Sequence, residues 1–129
     1  MSYKSKVTEN KMVAEKCLDI QAYNAGVTRA YYSAFQHIKA YLIGRGFDYK
    51  AFLLQKNSTE REYSHGTLQA AVTDCLMTAG KKPTDIYKIK VLGSLYAKRR
   101  IADYEKERII EEELKDSLKD LNTVLSVVV

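Results

Sequence analysis

Residues 22–43 read AYNAGVTRAYYSAFQHIKAYLI. Within them Val27, Tyr31, Ala34, Ile38 and Tyr41 recur at spacings of 4, 3, 4 and 3 residues, the period of a helix with one face in a core. Phe35 and Leu42 widen that stripe, and Thr28, Arg29, Ser33 and Gln36 fall on the opposite side. Gly44 and Gly46 stop the helix, because glycine accepts the left-handed backbone that closes a helix end.

The same pattern extends in both directions. Residues 5–20 carry Val7, Met12, Val13, Cys17, Leu18 and Ile20 among charges, which predicts a moderately amphipathic helix ending near Asp19–Gln21. Residues 44–63 are too long for a tight turn, and Ala51-Phe52-Leu53-Leu54 within them fits a short helix or a flap. Ser64 is placed as the N-cap of a third helix, HGTLQAAVTDCLMTAG, with Leu68, Ala71, Val72, Cys75 and Leu76 on one face and Gly80 at its close.

Pro83-Thr84-Asp85 opens a fourth helix whose apolar face is Ile86, Ile89, Leu92, Leu95 and Tyr96. A break near Glu105–Ile110 then precedes a fifth helix, although one long bent helix also fits. Glu111-Glu112-Glu113 suit its first turn, where the helix dipole favours carboxylates, and Leu114, Leu118, Leu121, Leu125 and Val128 form its stripe. The last residues, VLSVVV, are β-branched enough to fray. There is no alternating strand pattern and no repeat. The expectation is all-α: an up-and-down bundle of four to five helices forming one domain over residues 1–129.

Composition agrees. Hydrophobic residues make up 46% of the chain and charged ones 29%, a balance that builds a core, and one proline with six glycines leaves long helices uninterrupted. No apolar run nears the roughly 18 residues needed to cross a bilayer, and the polar start MSYKSKVTENK lacks the apolar stretch of a secretory signal. Cys17 and Cys75 lack CxxC spacing and sit at apolar helix positions, which reads as reduced core thiols and a cytoplasmic location. Two cysteines and two histidines at scattered positions do not make a zinc site. Phosphate-loop, dinucleotide, HExxH and GxSxG patterns are missing, so neither cofactor nor metal is expected.

The formal charge of +5 is mild, but its distribution is uneven. From Lys81 to Arg100 seven basic residues face one acid, Asp85, whereas from Glu105 to Asp120 acids outnumber bases seven to four. A local excess of this kind is the footprint of a phosphate-binding surface. On a helix with Leu92 at zero, Arg99 falls at about −20° and Asp103 at about +20°, both on the apolar line, while Arg100 and Tyr104 fall on the flank. A charge on a core line needs a partner, and residues four apart supply one. The pair is either a structural ion pair or part of an inward polar cluster at a cleft. His65, at a helix start, is either a surface cap or a neutral imidazole fit to act as a base, since the positive dipole end lowers its pKa. His37 reads as a boundary residue. Ten tyrosines and no tryptophan suit half-buried interfaces and base stacking. Tyr32, beside Arg29 on the polar side of its helix, is the one expected to touch something outside.

Three segments together resemble the HEPN family of small helical domains. YNAGVTRAYYSAFQHIKAYLIGRG resembles the family's long central helix, Ser64-His65-Gly66 its serine-histidine start to the next helix, and LYAKRRIADYE its later arginine segment. Their order and spacing match from about residue 20 to residue 120. The resemblance implies a bundle of about five helices, a homodimer, and often a toxin–antitoxin pairing with a minimal nucleotidyltransferase. Active members are metal-independent RNases that place an arginine, followed after four to six residues by a histidine, at the dimer cleft. Here that histidine position holds Tyr104, Glu105, Lys106 or Glu107. Tyrosine, with an ordinary pKa near 10, is a poor base at neutral pH. Resemblance and residue reading together give a polar cleft directed at RNA or a nucleotide, with Arg99, Arg100, His65 and Tyr104 as candidate catalytic residues and Asp103, Tyr32 and Arg29 as candidate binding residues. They favour a non-catalytic interaction module over an endoribonuclease. His65 supplies the missing imidazole only if it meets the fourth helix in space.

Overall fold

The computed structural model describes residues 3–105 and 107–129, and every regular element among them is helical. In chain order these are α1 (Tyr3–Asp19), α2 (Tyr23–Gly44), α3 (Tyr49–Gln55), α4 (His65–Thr78), α5 (Pro83–Tyr87), a 3-10 turn (Lys88–Lys90), α6 (Val91–Tyr104) and α7 (Glu111–Val127). The all-α expectation holds. The five helices read from the sequence correspond to α1, α2, α4, α6 and α7, each of 14 residues or more, and the short α3 and α5 add to that count. The fourth helix is not continuous from Pro83 as expected. It tightens into the 3-10 turn, which packs on α7 and carries Ile89 at 1% exposure. The break between α6 and α7 falls where the sequence placed it.

α2 is the axis of the molecule and packs against α1, α4, α6 and α7. Of its stripe, Val27, Tyr31, Ala34 and Ile38 are buried as expected and so is the flanking Leu42, whereas Tyr41 and Phe35 are half-buried at the edge and burial continues round to Ala30 and Ser33. The side read as polar is therefore partly covered. Small side chains there let α1 approach, and Ser33 Oγ is satisfied by donating to the Val7 carbonyl at 2.8 Å. Gly26 sits where three helices meet: a Cβ there would stand 2.7 Å from a Leu114 methyl on α7 and 3.1 Å from Cys17 Cβ on α1. Cys17 and Cys75 are both free and buried, as read from their positions.

Helix ends follow local rules. After α2, Gly46 takes φ +68°; its N–H reaches the Ile43 carbonyl and that of Phe47 the Leu42 carbonyl. After α4, Gly80 repeats the arrangement at φ +79°. α7 starts with half a capping box: the Glu113 carboxylate accepts the Ile110 N–H at 3.1 Å, while the Ile110 side chain has nothing to return. The same carboxylate pairs with Lys98 Nζ at 2.6 Å, tying α7 to α6 and holding the Glu113 carboxyl below its ordinary range.

Two details of α7 depart from expectation. Its fully covered line is Leu114, Ser117, Leu121 and Val124, with Leu118 and Leu125 at the edge, because the helix is rotated to face α2 and α6 together. The chain end does not fray: Val127 and Val128 are buried, and His37 Nε2 donates to the Val128 carbonyl. That bond gives the boundary histidine its role. No helix among the described residues is long and apolar enough to cross a membrane.

Candidate functional site

α6 begins as an ordinary core helix, with Leu92 and Leu95 fully covered. One turn further the same line carries Arg99 and then Asp103. The Arg99 side chain is 18% exposed, and its Nε lies 3.1 Å from Asp103 Oδ2. The Nε hydrogen is not aimed at that oxygen, so the contact is an ion pair without a hydrogen bond and this buried N–H is unsatisfied. Nη2 donates to the Tyr32 hydroxyl at 3.0 Å, and Asp103 Oδ1 accepts from Thr28 Oγ1 at 3.0 Å. The guanidinium carbon stands 5.3–6.0 Å from the ring centres of Tyr31, Tyr32, Tyr96 and Tyr104. Aromatic faces attract a cation without neutralising it. Arg99 thus keeps its charge while its position is held from several sides.

His65 is the first residue of α4, and its ring lies nearly parallel to that of Tyr96 on α6, with 10° between the planes. The imidazole and the fourth predicted helix therefore do meet. Nδ1 is 3.2 Å from the Tyr31 hydroxyl. Burial pushes the Tyr31 phenol up to about 12, so it stays protonated at neutral pH. The contact fits either imidazole tautomer, because a phenol oxygen both donates and accepts. The His65 pKa is lowered, first by burial and then by Arg99, with Glu60 opposing. The direction is the one read from the sequence. The larger cause is burial.

The turn leading into α4 is itself constrained. Tyr63 holds φ +60°, a left-handed backbone uncommon for a bulky residue. Its ring packs 4.5 Å from that of Tyr49, with Lys39 Nζ 5.1 Å from its centre. Ser64 stands at the N-cap as expected, but its hydroxyl contacts the Glu60 carboxylate at 3.2 Å and Thr67 Oγ1 at 3.0 Å instead of capping the backbone. The Glu60 carboxylate, the far end of an exposed side chain, lies over Gly66 in the space a Cβ would take. Glu60, Arg61, Ser64, His65, Gly66, Tyr96 and Arg99 together line an open cleft of about 600 Å³.

Arg99 and His65 therefore share one cleft, and Asp103 and Tyr32 hold Arg99 in it. Arg100 and Tyr104 are exposed on the flank, the Arg100 guanidinium 5.8 Å from the Tyr104 ring. Arg29 does not belong: Nη1 donates to Asn10 Oδ1 at 3.0 Å, which turns it toward α1. Residues three apart on a helix point about 60° apart, and that rotation sets Arg29 against Asn10 of α1 while Tyr32 meets Arg99 of α6. Helical periodicity places Tyr31 and Tyr96 on core faces and Thr28 on a polar one, and it gives Glu60 no role. Nothing in their spacing marks the cleft, since three separate helices and a turn bring them together. Among the described residues no group of three or more His, Cys, Asp or Glu side chains gathers closely enough to hold a metal. No family model matches the chain, and no curated protein matches it in sequence.

Proposed function

We propose that this cleft binds the phosphate of a nucleotide or of RNA, and that the chain is a HEPN-like domain working in the cytoplasm as a homodimeric interaction module. Its partner in this reading is a nucleotidyltransferase, in a pair of the toxin–antitoxin type. The observation that carries the cleft reading is the meeting of Arg99 and His65 against the same two rings, Tyr31 and Tyr96. A guanidinium and an imidazole N–H are groups that bind a phosphate oxygen, and the exposed ring of Tyr104 beside Arg99 suits a base. The basic run from Lys81 to Arg100 supports the same ligand. The test is a titration with UMP and with a short oligoribonucleotide. Arg99→Ala is expected to weaken both by about tenfold, which is about 1.4 kcal/mol. Unchanged affinity would remove the proposal. The module reading further expects co-purification with a nucleotidyltransferase from a neighbouring gene. A sedimentation mass of one chain at micromolar protein would count against the dimer.

The position of His65 favours one second reading, a metal-independent endoribonuclease. With the hydrogen on Nδ1, donated to the Tyr31 oxygen, Nε2 accepts the proton of the ribose 2′-hydroxyl. O2′ then attacks phosphorus, Arg99 balances the charge of the phosphorane, and the 5′-oxygen leaves with a proton from Tyr104. Cleavage of RNA in EDTA that disappears in His65→Ala, Arg99→Ala and Arg100→Ala would decide for this reading. Binding without cleavage would decide for the module.

A further inference from the structure

The cleft at His65 continues beyond its own rim. His65 and Gly66 also line a groove of about 620 Å³ that follows α4 past Ala70 and Thr73 to Met77. Met77 in turn lines an apolar notch of about 460 Å³ with Pro83, Ile86 and Tyr87. Shared lining residues, His65 and Gly66 at one junction and Met77 at the other, place the three concavities in a row along α4, here termed the furrow. From His65 to Met77 the helix rises about 18 Å. Gly66 and Ala70, one turn apart and both exposed, keep the floor low, while Phe52 and Lys56 at the end of α3 form the facing wall.

The furrow has a charge preference. Arg99, Arg61, Lys56 and Lys81 line it against two carboxylates, Glu60 and Asp74. At its far end Tyr87 is 67% exposed, on a short helix where nothing buries it. Lys90 lies against that ring: Nζ donates to the Tyr87 hydroxyl at 2.8 Å and stands 4.0 Å from the ring centre. An exposed aromatic ring beside an apolar notch, rimmed by ammonium groups, is the arrangement that stacks a base while holding its backbone.

We infer that the furrow is a track for single-stranded RNA, with one phosphate in the Arg99 cleft and the base of a distant nucleotide at Tyr87. This rests on the reading of the cleft as a phosphate site and names its ligand class, a polymer and not a mononucleotide. One nucleotide does not span about 18 Å of helix. A lipid surface fits less well, because the apolar side chains here line a concavity, whereas membrane-binding faces project theirs. Glu60 is the internal competitor: its carboxylate rests above Gly66 and takes the Ser64 hydroxyl, where an incoming phosphate would lie.

The test uses an end-labelled oligouridylate of about twelve nucleotides, followed by fluorescence anisotropy in EDTA, with UMP as competitor. The oligomer is expected to bind at least about tenfold tighter than UMP, and more steeply with falling salt. Ala70→Glu, an exposed substitution on the furrow floor, is expected to weaken the oligomer about fivefold or more without moving UMP. Tyr87→Trp introduces the only indole in the chain, and the oligomer is expected to quench it while UMP does not. Glu60→Gln is expected to tighten both ligands. Equal binding of UMP and oligomer, with no effect of Ala70→Glu and no quenching, would overturn the track and leave the cleft standing. Binding of neither would remove the cleft reading, and the track with it. Binding of phosphatidylserine vesicles that Ala70→Glu weakens, without oligomer binding, would overturn it in favour of a lipid contact.

Discussion

α6 and α7 begin with the same apolar line and finish it differently. On α7 the line runs Leu114, Ser117, Leu121 and Val124, all at 1% exposure or less, with neighbours along its length. On α6 it runs Leu92, Leu95, Arg99 and Asp103, so the second half carries two full charges. The polar residue tolerated on α7 is small and neutral, and its hydroxyl finds no partner. The polar residues on α6 are large, and each has partners: an ion pair, two hydroxyls and several ring faces. A seam closed on all sides accepts a small unsatisfied dipole, whose cost is limited. A charge survives on such a line only where aromatic rings and an opposite charge replace the water it loses.

That contrast is open to direct attack, and the largest effect is expected on α7. Leu121→Ala, at a fully covered site, should lower unfolding free energy in urea by about 2–5 kcal/mol. Arg99→Met should cost far less, about 1 kcal/mol or below, since Asp103 keeps its Thr28 hydrogen bond and partial contact with water. If Arg99→Met destabilises as much as Leu121→Ala, Arg99 is a structural keystone and the contrast fails.

A third effect is one of pH. The folded His65 pKa lies below its unfolded value of about 6.5, so the unfolded chain binds more protons in the window between the two. The stability from neutral His65 is therefore complete above about pH 6.5 and is lost as pH falls through that window to the folded pKa. Denaturation midpoints across this range should decline toward acid, and His65→Gln should flatten the decline. A slope unchanged in His65→Gln would place its source elsewhere. The smallest effect belongs to Ser117→Ala, which removes a buried hydroxyl without a partner and should leave stability equal or raise it by up to about 1 kcal/mol. A marked loss would mean that Ser117 is satisfied in solution and that α7 is less closed than described.

The helices were legible because their signals are local. The 4-3-4-3 spacing after Tyr23, the glycines at 46 and 80, Ser64 before His65 and the acids at 111–113 each act within a few residues of themselves. The 3-10 turn at Lys88–Lys90 was not legible, since it answers to the seat of Ile89 against α7 and to no breaker in its own stretch. The rotation of α7 escaped for a similar reason: 114-118-121-125 and 114-117-121-124 are equally good helical stripes, and only the neighbours choose between them.

The sequence by itself determined the helical class, the main boundaries, the uneven charge, and the Arg99–Asp103 pair, all of which depend on residues within one or two turns of each other. Only the tertiary structure decided that Arg29 turns away to Asn10, that Tyr31 and Tyr96 bracket His65, and that Glu60 lies over Gly66. Those facts depend on helices far apart in the chain coming within a few ångströms, and side-chain packing, not periodicity, sets that approach.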